Sequence, residues 1–82
     1  MLMSTSNVIP GYRLEEIGFL VYGIGSRTFL NEAMDDALVN LESGVEDEGY
    51  NAIIGISHSV TFEGDSYTVS MIGTACKALK EL

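Results

Sequence analysis

The stretch FLNEAMDDALVNLESGVEDE, residues 29–48, decides the fold because it is the part of the chain with a clear helical period. Its apolar side chains recur every three or four residues and form one stripe, made of Leu30, Ala33, Met34, Ala37, Leu38, Leu41 and Val45. Acidic and amide side chains occupy most of the other positions. The pattern predicts one amphipathic helix over residues 29–48, capped by Ser26 or Thr28 and ended at Gly49.

The segments on both sides of this helix have the composition and spacing of β-strands. We predict four strands, at residues 1–7, 12–22, 52–62 and 66–78. Turns or loops are predicted at Pro10-Gly11, at residues 23–26 and at Glu63-Gly64-Asp65. The chain is therefore expected to be a single α+β domain over residues 1–82. Its predicted architecture is a two-layer β-β-α-β-β fold, with one helix packed on a small antiparallel sheet.

The second predicted strand contains an irregularity. Tyr12 and Leu14 lie on one face by the period of two, whereas Ile17, Phe19 and Val21 lie on the other. A β-bulge near Gly18 would explain this change of phase. Burial of both strand faces, one of them by a neighbouring subunit, would explain it equally well. In the third strand, Ile54, Ile56, Val60 and Phe62 are expected to share one face with His58.

Composition and length together predict self-association. The chain has 82 residues and is 46% hydrophobic, yet its net charge is −8. One small core cannot bury that much apolar surface, so a second buried surface between subunits is expected. A lone helix also leaves one sheet face and the sheet edges uncovered, which oligomerisation commonly remedies. We therefore expect a homo-oligomer.

The charge balance and the lack of certain motifs exclude several functions. Only four Lys and Arg residues are present and they are scattered, which argues against binding nucleic acid or an anionic membrane surface. Neither a signal peptide nor a long apolar run is found, so a cytoplasmic location is expected. No nucleophile lies in a recognisable motif, so we expect no enzymatic activity.

Three segments resemble the YbjQ-like family, whose members are described as heavy-metal-binding proteins. These segments are STSNVIPGYR at residues 4–13, GYNAIIGI at residues 49–56 and Gly73-Thr74-Ala75 near the end of the chain. The resemblance implies a dodecin-like subunit that assembles into a ring, commonly a pentamer. It also implies binding of a metal ion or small molecule. The chain differs from the family pattern after the second strand, where Gly23 to Thr28 replace a longer insert.

His58 and Cys76 are the candidate ligands for a divalent metal ion. Structural zinc needs four ligands, so a complete site would require symmetry-related copies or carboxylates such as Glu63 and Asp65. A core or interface role for His58 and a small core role for Cys76 are the alternative interpretations. Tyr12 and Tyr22 are the candidates for a small-molecule pocket at a subunit interface.

An alternative function is protein interaction through the acidic side of the helix. A basic partner protein would be attracted by the carboxylates of Glu32, Asp35, Asp36, Glu42, Glu46 and Asp47. Such a module would bind or inhibit its basic partner, and salt would weaken the complex.

Overall fold

The fold consists of one helix on one face of a four-stranded sheet. The computed structural model describes residues 1–45 and 49–81. The elements are β1 (Leu2–Met3), β2 (Tyr12–Arg27), α1 (Leu30–Ser43), β3 (Ala52–Glu63) and β4 (Ser66–Lys80). The strand order in the sheet is β1-β3-β4-β2, and α1 packs on β2 and β4. The predicted α+β class and the single helix are confirmed for these residues.

The sheet is mixed, so the prediction of an antiparallel sheet is wrong in one respect. β1 pairs in parallel with β3, with Leu2 opposite Ala52, whereas the other two pairings are antiparallel. β1 is also much shorter than the strand predicted over residues 1–7. The connection from β1 at one edge to β2 at the other crosses the sheet face opposite α1, which places Ile9 in a buried cluster there. The parallel partners β1 and β3 are joined through β2 and α1, which supply the long connection that parallel strands require.

Gly23 and Gly25 lie inside β2, so the predicted loop at residues 23–26 is wrong. A Cβ atom at Gly23 would collide with the carbonyl oxygen of Ala37, and one at Gly25 with that of Ala33. Glycine in a strand interior often marks such a close approach of another backbone. The fully buried Ala33 and Ala37 complete a seam of small residues between β2 and α1.

The helix is shorter at both ends than the predicted range 29–48. Its N-cap is Phe29 without a side-chain hydrogen bond, so the predicted caps are wrong: Ser26 belongs to β2, and Thr28 does not hold the N-cap position. Its C-cap is Gly44, with φ −71° in the right-handed region. Gly49 has the positive φ expected of a helix-terminating glycine, at 81°, but it follows the helix end by several residues.

Register shifts interrupt both long pairings. In β2 the shifts fall between Leu14 and Glu16 and between Ile17 and Leu20. The second agrees with a bulge near Gly18, one of the two explanations considered for the change of phase. A shift in β3 between Ile54 and Ser57 was not predicted, and Gly55 adopts a φ of 62° there. As a result Ile54 packs in the cluster opposite α1 while Ile56 packs on the helix side, so these two side chains do not share a face.

Two apolar clusters hold the domain together. The larger lies between α1 and the sheet and is centred on Leu41, Ile53 and Val69, which are fully buried. The smaller lies on the opposite face and joins Ile9 to four residues of β3 and β4, namely Ala52, Ile54, Cys76 and Ala78. Because this second cluster covers only one end of that face, the remainder of the face is open to solvent.

Candidate functional site

The uncovered part of the sheet opposite α1 is the candidate functional site. We call it the open face. It is formed by side chains that alternate with the helix-facing positions of β2, β3 and β4: Leu20, Tyr22, Ile24, Ser57, Ser59, Ser70, Ile72 and Thr74. Their placement follows from the pleat, because Val21, Gly23 and Gly25 face the helix and their neighbours therefore point the other way.

The open face carries large apolar side chains and no charge. Leu20 is 69% exposed, Tyr22 73%, Ile24 51% and Ile72 45%. They lie side by side, since Tyr22 is the register partner of Ile72 and Leu20 that of Thr74. Single exposed apolar residues are common on protein surfaces, but contiguous apolar patches generally mark interaction sites.

The overall dimensions indicate a sheet that is incompletely covered within the chain. The chain exposes 5300 Å² of surface, compared with about 4,800 Å² expected for a folded monomer of this mass. Its radius of gyration is 13.7 Å, compared with roughly 12 Å for a compact domain of this length. Both differences follow from a long sheet that a single short helix covers only in part.

A cavity of about 300 Å³ lies over this part of the sheet. Its walls combine apolar and hydroxyl side chains of the open face, namely Tyr22, Ile24, Ser57, Ser59, Ser70 and Ile72. His58 and Met71 also border the cavity, although their side chains face the helix side of the sheet. This volume is at the lower end of the range for small-molecule pockets, which are mostly apolar with a few polar groups. The cavity therefore suits a small and largely apolar molecule.

The two candidate tyrosines lie in different environments. Tyr22 lines the cavity of the open face. Tyr12 is half-buried and packs against the small cluster of Ile9 and Cys76 at the other end of the sheet. The structure therefore brings Tyr22, but not Tyr12, to the candidate site.

His58 and Cys76 do not meet within one chain. His58 is exposed and faces the helix side of the sheet as the register partner of Met71, so it is not a core histidine. Cys76 is fully buried in the cluster on the opposite face. It also lies about 17 Å along β4 from Met71 at the usual rise of a strand. Among residues 1–45 and 49–81, no three His, Cys, Asp or Glu side chains converge on one point.

Burial gives the Cys76 thiol a testable pH signature. Loss of hydration raises the pKa of Cys76 above its ordinary value of 9.0. The folded state therefore holds this proton more tightly than the unfolded state. The resulting stabilisation is fully present below pH 9 and is lost as the pH rises through the folded pKa.

We expect urea unfolding to show that the native protein loses stability above pH 9 relative to Cys76→Ala, with no divergence between pH 7 and 8. Alkylation of the native thiol at pH 8 should be slow and should accelerate in urea. Equal reaction rates in native and unfolded protein would show that the thiol is accessible.

The acidic side of α1 is partly neutralised within the chain. The Arg27 guanidinium lies 3.0 Å from the Asp36 carboxylate and 3.5 Å from that of Glu32. Asp35 and Glu42 are the other described members of the predicted acidic surface. Glu46 and Asp47 lie outside the described residues.

Leu20, Ile24 and Ile72 belong to the candidate site but are not predicted from the sequence. Their signal was the alternation of apolar residues with small ones through Leu20, Tyr22 and Ile24. Assigning residues 23–26 to a loop cut that pattern short. Gly23 and Gly25 do not form a turn; in this strand they make room for the backbone of α1.

In the part of the chain that the structure describes, no helix has the length and hydrophobicity needed to cross a membrane. Comparison of the chain with models of protein families and with curated proteins finds no match.

Proposed function

We propose that this protein is a homo-oligomeric, non-enzymatic binding protein that holds a small molecule or a metal ion where its subunits meet. The observation that carries the proposal is the open face, an uncharged surface with four large exposed apolar side chains in a strongly acidic chain. The sequence resemblance to the YbjQ-like family supports a closed ring, with a pentamer as the expected form.

Charge favours a second copy of the chain as the occupant of the open face. Two chains of net charge −8 repel each other, so they associate best through a surface that contains no carboxylates. The open face meets this condition over three strands. A basic partner would instead be attracted to exposed carboxylates, which lie elsewhere on the molecule.

The chemistry of the cavity favours a small neutral molecule over a divalent cation. Tyr22 and Ile72 provide apolar contact, while the hydroxyls of Ser57, Ser59 and Ser70 can orient a polar group. A divalent site would have to be assembled from several copies, because His58 and Cys76 lie on opposite faces. The small molecule is therefore the principal ligand in this proposal.

The alternative, an acidic module that binds a basic protein through α1, has weaker support. Arg27 already pairs with two of the carboxylates that would form its contact surface. Within the described helix this leaves Asp35 and Glu42 for a partner.

The ligand part of the proposal is tested by thermal unfolding in the presence of compound panels. A ligand that binds only the folded protein at 100 times its Kd stabilises it by about 2.7 kcal/mol. For a domain of this size that raises Tm by roughly 10 °C or more. We expect small aromatic or aliphatic compounds to give such a shift, and Tyr22→Ala to abolish it. If neither the compounds nor divalent metals change Tm, the binding function is contradicted.

A further inference from the structure

A second groove, on the helix side of the molecule, brings together three of the four methionines and the only histidine of the chain. It encloses about 280 Å³ and is lined by Met3, Met34, Met71 and His58, with Leu38 and Ile56 among the other wall residues. We call it the methionine groove. The three methionines and the histidine belong to three different strands and the helix. They are therefore close together because of the tertiary fold and not because they are neighbours in the sequence.

The fold fixes the positions of these side chains independently. Met71 and His58 are register partners on neighbouring strands, which places their Cβ atoms about 5 Å apart on the same sheet face. Met34 packs against the buried cluster that contains Met71. Met3 is held in β1 beside β3 by the parallel pairing with Ile53.

Solvent exposure increases from the base of the groove to its rim, so an ion from solution could reach the side chains that line it. Met71 is only 6% exposed at the base, Met3 and Met34 are half-buried, and His58 is exposed at the rim. No salt bridge of the described residues involves His58, so its imidazole is not committed to a carboxylate.

Thioether and imidazole ligands have a distinct metal preference. Soft sulfur ligands select Cu(I), and imidazole also suits copper. Carboxylates, which Ca²⁺ and Mg²⁺ require, are not among the residues that line the groove. We propose that the methionine groove is a binding site for Cu(I), with His58 and the methionine sulfurs as ligands. This goes beyond the function proposed above, because all ligands belong to one subunit and no assembly is needed.

Gap filling is the structural role that competes with metal binding. Methionine is flexible and often occupies irregular spaces in cores, which would account for Met71 and Met34. It does not account for the half-buried Met3 or for the position of His58 at the rim. The two roles differ in their response to a soft cation, so they can be separated by titration.

The test is a titration of the whole protein with Ag(I), a redox-inert substitute for Cu(I), followed by the NMR signals of ¹³C-labelled methionine methyl groups. All proteins carry Cys76→Ala, since a thiol would compete for the cation. We expect the methyl signals of Met3, Met34 and Met71 to shift together and to saturate at one equivalent. Met1, which is 47% exposed and outside the groove, serves as the internal reference and should not move.

Affinity for Cu(I), measured by competition with a colorimetric Cu(I) chelator, provides the second readout. Met34→Leu and His58→Gln should each weaken binding at least about tenfold, the lower end of the effect of losing even an outer-shell partner. Leu38→Met changes the same wall but keeps every ligand, and it should not weaken binding.

The proposal is overturned if Met1 shifts as much as the groove methionines, or if Met34→Leu and His58→Gln bind Cu(I) as tightly as the parent. Because the site is complete in one subunit, a monomeric protein that binds Cu(I) would support this inference while contradicting the proposed assembly. An oligomer that binds neither Ag(I) nor Cu(I) would support the proposed assembly and contradict the Cu(I) site.

Discussion

Gly25→Ala should lower the free energy of unfolding by about 3 kcal/mol, at the upper end of the usual cost of overpacking. The added methyl group would meet the carbonyl oxygen of Ala33 and the backbone nitrogen of Ala37, which belong to the helix backbone. A flexible side chain could move away from such a clash, but helix backbone cannot do so without separating α1 from the sheet. For a domain of this size the loss corresponds to a fall in Tm of roughly 15 °C.

Gly44→Ala is the matched control for this prediction. Gly44 has a φ of −71°, and a Cβ there would lie 3.6 Å from its nearest neighbour, an ordinary contact. The substitution should be neutral or stabilising by up to about 1 kcal/mol, since it restricts the unfolded chain. Urea unfolding at a fixed protein concentration measures both variants. Equal stabilities of Gly25→Ala and Gly44→Ala would contradict the close packing of α1 on β2.

Tyr22→Glu should disrupt self-association. In the separated subunit Tyr22 is 73% exposed, so a carboxylate there should change folding stability by less than about 0.5 kcal/mol. In an assembly built on the open face, the same carboxylate would be buried against an apolar surface without a partner, at a cost of several kcal/mol. We expect the dissociation constant between subunits to rise by about 100-fold or more.

Val39→Glu is the control for this variant. Val39 is 63% exposed on α1 and receives the same added charge, but it lies on the other side of the molecule. It should change the association constant by no more than about threefold, because its only effect is a small increase in the charge repulsion between copies. Size-exclusion chromatography with light scattering measures both, and circular dichroism checks that both remain folded. If Val39→Glu dissociates the protein and Tyr22→Glu does not, the interface lies on the helix side.

Much of the fold could be predicted because the spacing of apolar residues along the chain directly indicates whether a segment is a helix or a strand. The stripe from Leu30 to Val45 indicated the helix, and the turn predicted at Glu63-Gly64-Asp65 indicated the β3–β4 hairpin, whose loop is Gly64-Asp65. There Gly64 has a φ of 64°, as a type II′ turn requires at its first central position. The parallel pairing of β1 was not predictable in this way, because nothing within residues 1–7 specifies which strand they join.

The candidate site was harder to predict because glycine has two opposite uses. In a turn it permits a positive φ, whereas in β2 it gives α1 room to approach. A loop at Gly23 and Gly25 would end β2 before Ile24, so this prediction left out the part of β2 that forms the open face. Similarly, the unpredicted irregularity at Gly55 places Ile54 and Ile56 on opposite faces of the sheet, although the period of two predicts the same face. The methionine groove is a product of tertiary structure, since Met3, Met34 and Met71 are far apart in the sequence.

Native mass spectrometry of the unmodified protein tests the central claim most directly. Association through the open face predicts a single closed oligomer at micromolar concentration and a Tm that rises with protein concentration. The sequence resemblance favours a pentamer, in which the open face of each subunit packs on a different surface of the next, whereas packing of two open faces on each other gives a dimer. Retained mass beyond the protein chains would identify a ligand. A folded monomer at every concentration up to the millimolar range would contradict the proposed assembly and its interfacial binding site.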